Sequence, residues 1–390
     1  MDKIICSKCQ KVFDVKLGNK CPVCSNSQPL IYNFRNSDIH LKSMMPKIKN
    51  ERKELGLSGL VKGLECVIIN TEPDKLLSTS REIISTTNYR IDEAFETKET
   101  KNLILKCDDS ADFIISSRMK GKNPFIKHND YPKSNRLLNT RLETFVFKTN
   151  DIEKYVSIQK KRGIKFLTDE VKHFQNFSFI QTFPSEYTGN SIGFIQWHKN
   201  NRLYMGDNDK ELPFEDEKPD KKYLQNIKML DHTATRVRAQ DRDGAIIEFM
   251  KLTDYDFDFA IYVKTFNSIT NVARLSKKDF AMVFTSGVTP FTDNKEAGPT
   301  EKFIHYYGPR VHHLAFHTEH IEDTFAQLKE DGMDFLIGLV GSPDEGLKQT
   351  FSKPSNNTML VNEYIHRFGD FDGFFTKKNV TLLTGATAEQ

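Results

Sequence analysis

The sequence has little that would place it in a membrane or outside the cell. It contains no apolar run of membrane-spanning length. Its first residues, MDKIICSKCQ, hold neither the apolar core nor the cleavage site of a secretory signal. We therefore expect a cytoplasmic protein without a membrane partner.

An excess of charge of either sign is also missing. Lys and Arg total 56 against 53 Asp and Glu, a formal net charge of +3. This balance argues against nucleic acid as the main partner. Trp occurs once, but Phe occurs 30 times, which fits packed sheets and an apolar pocket. The 390 residues leave room for two or three domains with cores of their own.

Cysteine is scarce and concentrated near the start of the chain. Four of the six cysteines form two CxxC pairs, Cys6 with Cys9 and Cys21 with Cys24. Without an export signal, this pattern indicates a metal site rather than disulfides. Paired thiolates suit tetrahedral zinc, with ligands at about 2.3 Å. Residues 1–28 are thus predicted to form a structural zinc ribbon. A rubredoxin-like iron site, and docking of protein or nucleic acid, are also compatible with this pattern.

The rest of the chain divides at two polar segments. Residues 29–60 are basic and are predicted to be a linker or a short helix. Residues 206–225 are dense in charge and contain two prolines, which indicates a linker between two large domains. The domains, 61–205 and 226–388, both contain β-branched runs typical of strands, such as LECVIIN, and segments with helical periodicity, such as PDKLLSTSREIISTT.

An internal repeat supports this division. Residues 147–167 align with residues 316–336 without a gap, and Phe, Thr, Ile-Glu, Lys, Gly and Phe-Leu recur in register. The chain is therefore predicted to be an α+β protein built from tandem βαβββ modules. Two modules pair in one curved sheet, so that four modules make two open half-barrels.

Histidines and a carboxylate suggest a metal site in the second half-barrel only. His313 aligns with Thr144 of the first copy, His232 opens the second domain, and Glu363 lies in an apolar strand. Two imidazoles and one carboxylate form the facial triad of non-haem Fe(II) enzymes. Since neighbouring residues of a strand point to opposite faces, only one of His312 and His313 is expected to face the site. His317 would share the face of His313, farther along the strand.

Four stretches of the second half carry a resemblance to a known family. They are Leu230-Asp231-His232, Val311-His312-His313-Leu314-Ala315, Gln349-Thr350-Phe351-Ser352-Lys353-Pro354, and Glu363-Tyr364-Ile365-His366-Arg367. In these stretches, and over about residues 228–385, the chain resembles 4-hydroxyphenylpyruvate dioxygenase, a family of the vicinal oxygen chelate superfamily. The resemblance of the first half-barrel is looser and does not extend to the zinc ribbon.

The resemblance implies an Fe(II)-dependent dioxygenase that forms homogentisate in tyrosine catabolism. By this resemblance His232, His313 and Glu363 would hold iron. Gln349 would contact the substrate and Phe351 would stack on its ring, while Phe374 and Asn379 would line or close the cavity. The substrates would be an aryl 2-oxo acid, bound to iron through its carboxylate and keto oxygen, and dioxygen. Members of the family often form oligomers, so a homo-oligomer is a further expectation.

Two departures from the family's pattern concern the substrate pocket. Val380 stands where the family has an aromatic residue, and Pro299 stands near the place of a substrate-contacting glutamine. An altered substrate, or hydroxylation at the benzylic carbon as in 4-hydroxymandelate synthase, fits these departures. Extradiol cleavage and a glyoxalase-type isomerisation are competing hypotheses for an enzyme. A ligand-sensing protein without enzymatic activity, whose ribbon docks a partner, is the competing hypothesis for a protein that is not an enzyme.

Overall fold

The computed structural model describes residues 3–6, 12–14, 23–24, 29–32, 38–214, 218–295, 297–371, 373–388 and 390. At the N-terminus, strands β1 (Lys3–Cys6), β2 (Val12–Asp14) and β3 (Pro29–Tyr32) form an antiparallel sheet in the order β2-β1-β3. The predicted zinc site falls largely outside the described residues, because Cys9 and Cys21 are not among them.

Helix α1 (Ile39–Glu54) occupies much of the segment predicted to be a linker or a short helix. Its Arg52 is buried and donates hydrogen bonds to the carbonyl oxygens of Thr253 (2.8 Å) and Tyr255 (3.3 Å). Arg52 also pairs with Asp256. These bonds fix α1 against the second half of the chain.

The first large sheet has nine strands in the order β12-β5-β6-β7-β4-β8-β11-β10-β9. Its first module comprises β4 (Val61–Asn70), α2 (Leu76–Thr86), β5 (Arg90–Glu96), β6 (Thr100–Lys106) and β7 (Asp112–Arg118). The second comprises β8 (Arg141–Thr149), α3 (Ile152–Lys161), β9 (Lys172–His173), β10 (Phe177–Gln181) and β11 (Ser191–Trp197). Strand β12 (Lys210–Glu211) pairs with the edge strand β5.

The second large sheet has eight strands in the order β14-β15-β16-β13-β17-β20-β19-β18. Its first module comprises β13 (Ile227–Arg236), α4 (Arg242–Leu252), β14 (Asp256–Val263), β15 (Ser268–Arg274) and β16 (Ala281–Gly287). Helix α5 (Pro299–Tyr307) leads to the other module, which comprises β17 (Arg310–Thr318), α6 (Ile321–Glu330), β18 (Val340–Ser342), β19 (Leu347–Phe351) and β20 (Val361–Arg367). Helix α7 (Lys377–Ala386) follows.

The two sheets share one plan, and this confirms the predicted fold. In each module the first strand pairs in parallel with the last, as β4 does with β7 and β13 with β16. The first strands of the two modules then pair with each other antiparallel, β4 with β8 and β13 with β17. The protein is an α+β protein with tandem βαβββ modules and has the vicinal oxygen chelate fold. None of its described helices is long and apolar enough to cross a bilayer.

The two sheets pack through a common apolar core. Phe113 of the first sheet and Phe316 of the second have ring centroids 6.2 Å apart, and Phe147 and Phe249 lie 5.8 Å apart. These phenylalanines are fully or almost fully buried. Burial of such aromatic surface is a major stabilising term, so the halves of the chain support one another.

Two buried arginines at equivalent places of β8 and β17 make reciprocal bonds between the sheets. Arg141 Nη2 donates to the carbonyl oxygen of Pro309 at 2.6 Å, and Arg310 Nη2 donates to that of Thr140 at 2.9 Å. Each arginine thus bonds to the residue that precedes its counterpart. This reciprocal exchange is the pattern expected of two halves related by an approximate twofold rotation.

β-Bulges occur at matching places of both sheets. Register shifts leave Glu65 of β4 and Asp231 of β13 without a directly opposed residue on the neighbouring strand. Further shifts do the same to Glu143 of β8 and His312 of β17. A bulge inserts one residue and locally changes which face a side chain reaches. Because of the bulges, Asp231 and His312 can contact their neighbours His232 and His313 on one side of the sheet.

Candidate metal centre

Three neighbouring strands bring the predicted triad together. His232 lies on β13, His313 on β17 and Glu363 on β20. Ala315 of β17 is the register partner of both His232 and Glu363, so these two side chains stand level on either side of it. His313 precedes Ala315 by two residues and therefore shares its face. All three ligand candidates are buried.

The three side chains offer one ligand atom each to a common point. Glu363 Oε2 lies 3.2 Å from Nε2 of His232 and 3.2 Å from Nε2 of His313. The three atoms lie within 4.8 Å of one another. Nε2 of His232 is buried and has no hydrogen-bond partner among the described residues. Two imidazole nitrogens and a carboxylate oxygen that converge in this way fit a metal ion with open coordination positions.

Asp231 and Arg367 determine the orientation of the His232 ring. Nδ1 of His232 lies 2.7 Å from Oδ2 of Asp231, and Arg367 donates two hydrogen bonds to the same carboxylate, at 2.5 and 3.0 Å. A proton on Nδ1 that is donated to Asp231 leaves the lone pair of Nε2 free for a metal. The bulge at Asp231 explains why two adjacent residues of β13 can meet on one side of the sheet.

The expectation that His312 and His313 face opposite sides of the sheet is wrong. His312 is the bulge residue of β17, and its Nδ1 lies 2.9 Å from Nδ1 of His313. Its Nε2 lies 2.8 Å from Oε1 of Gln390. A chain of donation from His313 through His312 to Gln390 leaves Nε2 of His313 unprotonated and free for a metal. His317 lies outside the triad and stacks with His366, with ring centroids 6.0 Å apart.

Burial and charge shift the titration of the site. Burial, with help from His312 and His232, lowers the pKa of His313 far below its usual range, which favours the neutral imidazole that binds metals. Burial alone would lower the pKa of His232, but Glu363 and Asp231 raise it above its ordinary value. Burial also acts to raise the pKa of Asp231, but Arg367 and His232 outweigh it and hold this pKa low.

Three of the four predicted substrate residues contact the triad. Gln349 donates from Nε2 to Oε1 of Glu363 at 3.1 Å, and Phe351 lies against His313 with ring centroids 4.8 Å apart. Phe374 packs edge-on against His232, with centroids 5.2 Å apart. Asn379 is buried in the first turn of α7, with Nδ2 3.4 Å from the carbonyl oxygen of Val340.

A cavity of about 50 Å³ opens beside the triad. Gln349 and Phe351 line it, whereas Phe374 and Asn379 are not among its lining residues. Helix α7 supplies one side of the cavity with Val380 and Leu383. Pockets for drug-sized ligands measure about 300–1,000 Å³, so this cavity is smaller than a typical ligand pocket.

The first sheet has different residues at the matching positions. Strand register places Cys66, Thr144 and Gly193 where the second sheet has His232, His313 and Glu363. The rings of Phe177, Trp197 and Tyr204 pack together there, with centroids 5.1–6.0 Å apart. This half-barrel is therefore filled by side chains of its own.

Solved structures with a similar fold include a 4-hydroxymandelate synthase and a fusion protein that contains a 4-hydroxyphenylpyruvate dioxygenase. A triple mutant of 4-hydroxymandelate synthase from Streptomyces coelicolor superposes with a TM-score of 0.62 at 14% identity, over 85% of this chain and 99% of that one. A fusion of a xylose isomerase-like TIM barrel with 4-hydroxyphenylpyruvate dioxygenase gives 0.57 at 12% identity, over 90% of this chain and 57% of that one. No family model and no curated protein matches the sequence.

Proposed function

We propose that the protein is an Fe(II)-dependent dioxygenase that oxidatively decarboxylates a 2-oxo acid and hydroxylates the same molecule. The observation that carries the proposal is the convergence of Nε2 of His232, Nε2 of His313 and Oε2 of Glu363 in a buried site. When bound, Fe(II) would supply the chemistry in which one atom of O2 enters the new carboxylate, the other becomes a hydroxyl group, and CO2 leaves.

The protein's own groups would hold the metal ion, orient its ligands and line the cavity. Asp231 and His312 fix the protonation of the two imidazoles, and Gln349 orients Glu363 by its bond to Oε1. Oε1 of Gln349 is buried without a partner among the described residues and can accept a hydrogen bond from a bound ligand. Phe351 supplies an apolar wall beside His313, and Val380 and Leu383 of α7 cover another side of the cavity.

The position of hydroxylation distinguishes two forms of this activity. A homogentisate-forming enzyme hydroxylates the ring, whereas a mandelate-forming enzyme hydroxylates the benzylic carbon. The similarity of the fold to 4-hydroxymandelate synthase over 99% of that chain supports keeping the second form as a candidate. Product analysis with 4-hydroxyphenylpyruvate separates the two.

The test is oxygen consumption by protein loaded anaerobically with Fe(II). A panel of 2-oxo acids should include 4-hydroxyphenylpyruvate, phenylpyruvate and aliphatic members. We expect uptake with at least one of them, matched by equimolar CO2. His313→Ala and Glu363→Ala should lose bound iron and uptake together, because two ligands cannot hold the ion as three do. Iron that stays bound in both variants would overturn the assignment of the triad.

A further inference from the structure

A buried arginine, Arg236, lines the same cavity as His313 and Glu363. Arg236 lies on β13, four residues after His232, so it shares the face of the sheet and stands about 13 Å farther along the strand. Its side chain is 4% exposed. The guanidinium lies over the ring of Phe303, 4.5 Å from the centroid, and donates from Nη2 to Oγ1 of Thr387 at 2.8 Å.

The second arm of this guanidinium is unused. Nη1 is buried and has no hydrogen-bond partner in the described part of the chain. Among the described residues, no carboxylate lies within salt-bridge distance of Arg236, whereas Arg367 on the same sheet pairs with Asp231. Burial lowers the pKa of Arg236 to about 9, so the group remains charged at neutral pH. An unpaired buried cation costs several kcal/mol, and a bound anion would relieve that cost.

Besides the ring of Phe303, polar side chains lie around Arg236. Hydroxyl groups of six residues line this cavity, namely Ser268, Thr270, Thr285, Thr300, Thr384 and Thr387. Thr285 is the direct register partner of Arg236, and its hydroxyl is also buried without a partner among the described residues. A guanidinium N–H and a neighbouring hydroxyl form a pair of donors suited to one carboxylate.

We propose that Arg236 and Thr285 bind a second carboxylate at the far end of the substrate. The inference rests on the proposed function and narrows it: the substrate is a 2-oxo diacid whose 2-oxo acid end faces His232, His313 and Glu363. Charge and geometry favour this over a neutral tail, because a neutral tail would leave the buried Nη1 of the guanidinium without a partner.

Anaerobic calorimetry on Fe(II)-loaded protein tests the proposal without turnover. The ligand pairs are 2-oxoadipate with 2-oxohexanoate and 4-carboxyphenylpyruvate with phenylpyruvate, in which only the second carboxylate differs. We expect the diacid of at least one pair to bind about 100-fold more tightly, the range for a buried charged pair. Equal binding within both pairs in the wild-type protein would overturn the proposal, and this comparison needs no variant.

Substitutions then assign the preference to Arg236. Arg236→Met should reduce the preference for the diacid to threefold or less, while the affinity for the monoacid stays the same. Arg236→Lys, which keeps the charge, should retain part of the preference. The melting temperature of the ligand-free Met variant should be equal to or above that of the wild type, because an unpaired charge is removed. A diacid preference that survives in Arg236→Met would refute the role of Arg236.

Oxygen uptake separates this inference from the proposed function. Diacid-selective binding without any uptake would leave the Arg236 site standing and contradict the dioxygenase. Uptake with equal kcat/KM for the monoacid and the diacid of each pair would support the dioxygenase and overturn the carboxylate site.

Discussion

Asp231 fixes the tautomer of the candidate metal ligand His232 through a hydrogen bond to Nδ1, the ring nitrogen that does not face the metal site. Its carboxylate accepts from Nδ1 of His232 and from both arms of Arg367. The histidine ring is therefore held in the tautomer that leaves Nε2 free to bind a metal ion. Arg367 in turn lies over the ring of Phe374, 4.7 Å from its centroid, so the segment before α7 is tied to the same network.

We predict that Asp231→Asn weakens iron binding by about 10- to 100-fold. The amide has one oxygen fewer for Arg367, and it can present an N–H to Nδ1 of His232, which would favour the wrong tautomer. Titration of the apoprotein with Fe(II) or Co(II) gives the affinity. Asp108→Asn, which removes an exposed partner of Arg90 in the first sheet, is the control and should leave the affinity unchanged. Equal affinities in the two variants would contradict this account.

At the residue scale, the three metal ligand candidates could be chosen from sequence because a carboxylate within an apolar strand and two strand histidines are rare together. Their neighbours could not. Strict alternation places His312 and Asp231 on the far face, and only the bulges bring them to the site. Arg236 did leave a signal, a charged residue at an even spacing from His232 on a buried strand, but the sequence alone does not show that it lacks a partner.

Helix α5 is held in place by a buried carboxylate. Oε1 of Glu301 accepts hydrogen bonds from the backbone N–H of Ala239 and of Gly287, both at 2.9 Å. Gly287 leaves room for this contact, since a Cβ there would lie 2.4 Å from Cγ of Glu301. Burial raises the pKa of Glu301 to about 7 in spite of these bonds.

This raised pKa predicts a fall in stability between about pH 4.5 and pH 7. Over that range the folded protein keeps a proton that the unfolded chain has lost, so the stabilisation is complete below pH 4.5 and disappears as the pH approaches 7. The change amounts to about 3 kcal/mol. Urea unfolding at pH 4.5 and pH 8 should show this decrease in the free energy of unfolding in the wild type and not in Glu301→Gln. Glu319 is exposed, so Glu319→Gln serves as the control and should show the same change in the free energy of unfolding between the two pH values as the wild type.

At the element scale, strands β5 and β15 escaped prediction although their modules were found. RIDEAFE, the sequence of β5, carries four charged residues, and its register shifts at a bulge. SITNVAR, the sequence of β15, has polar residues inside a buried strand. Ser268 and Thr270 of β15 face the cavity, so the residues that suit the strand to a ligand are those that hide its apolar pattern. Strands such as β4, with the sequence VKGLECVIIN, could be predicted because their apolar, β-branched runs are continuous.

The whole molecule is predicted to hold two metals in separate places. We propose that Cys6, Cys9, Cys21 and Cys24 bind zinc in a structural ribbon, apart from the iron of the second sheet. Metal analysis should find that Cys21→Ser lowers zinc and leaves iron unchanged, while Glu363→Ala does the opposite. Loss of both metals in Cys21→Ser, in protein with a wild-type melting temperature, would show that the two sites depend on each other.

The reciprocal bonds of Arg141 and Arg310 carry a consequence for the descent of the chain. Such an exchange, in which each half gives the other the same bond, is the geometry of an isologous contact in a twofold-symmetric dimer. Two identical single-sheet subunits would associate in this way, and a duplication joined end to end would preserve the contact. Once the two copies are fused in one chain, only one of them needs to keep its metal-binding residues. Cys66, Thr144 and Gly193 of the first half-barrel, which stand at the positions of the three ligand candidates, would then mark the copy that no longer needs a metal and serves as structural support for the other.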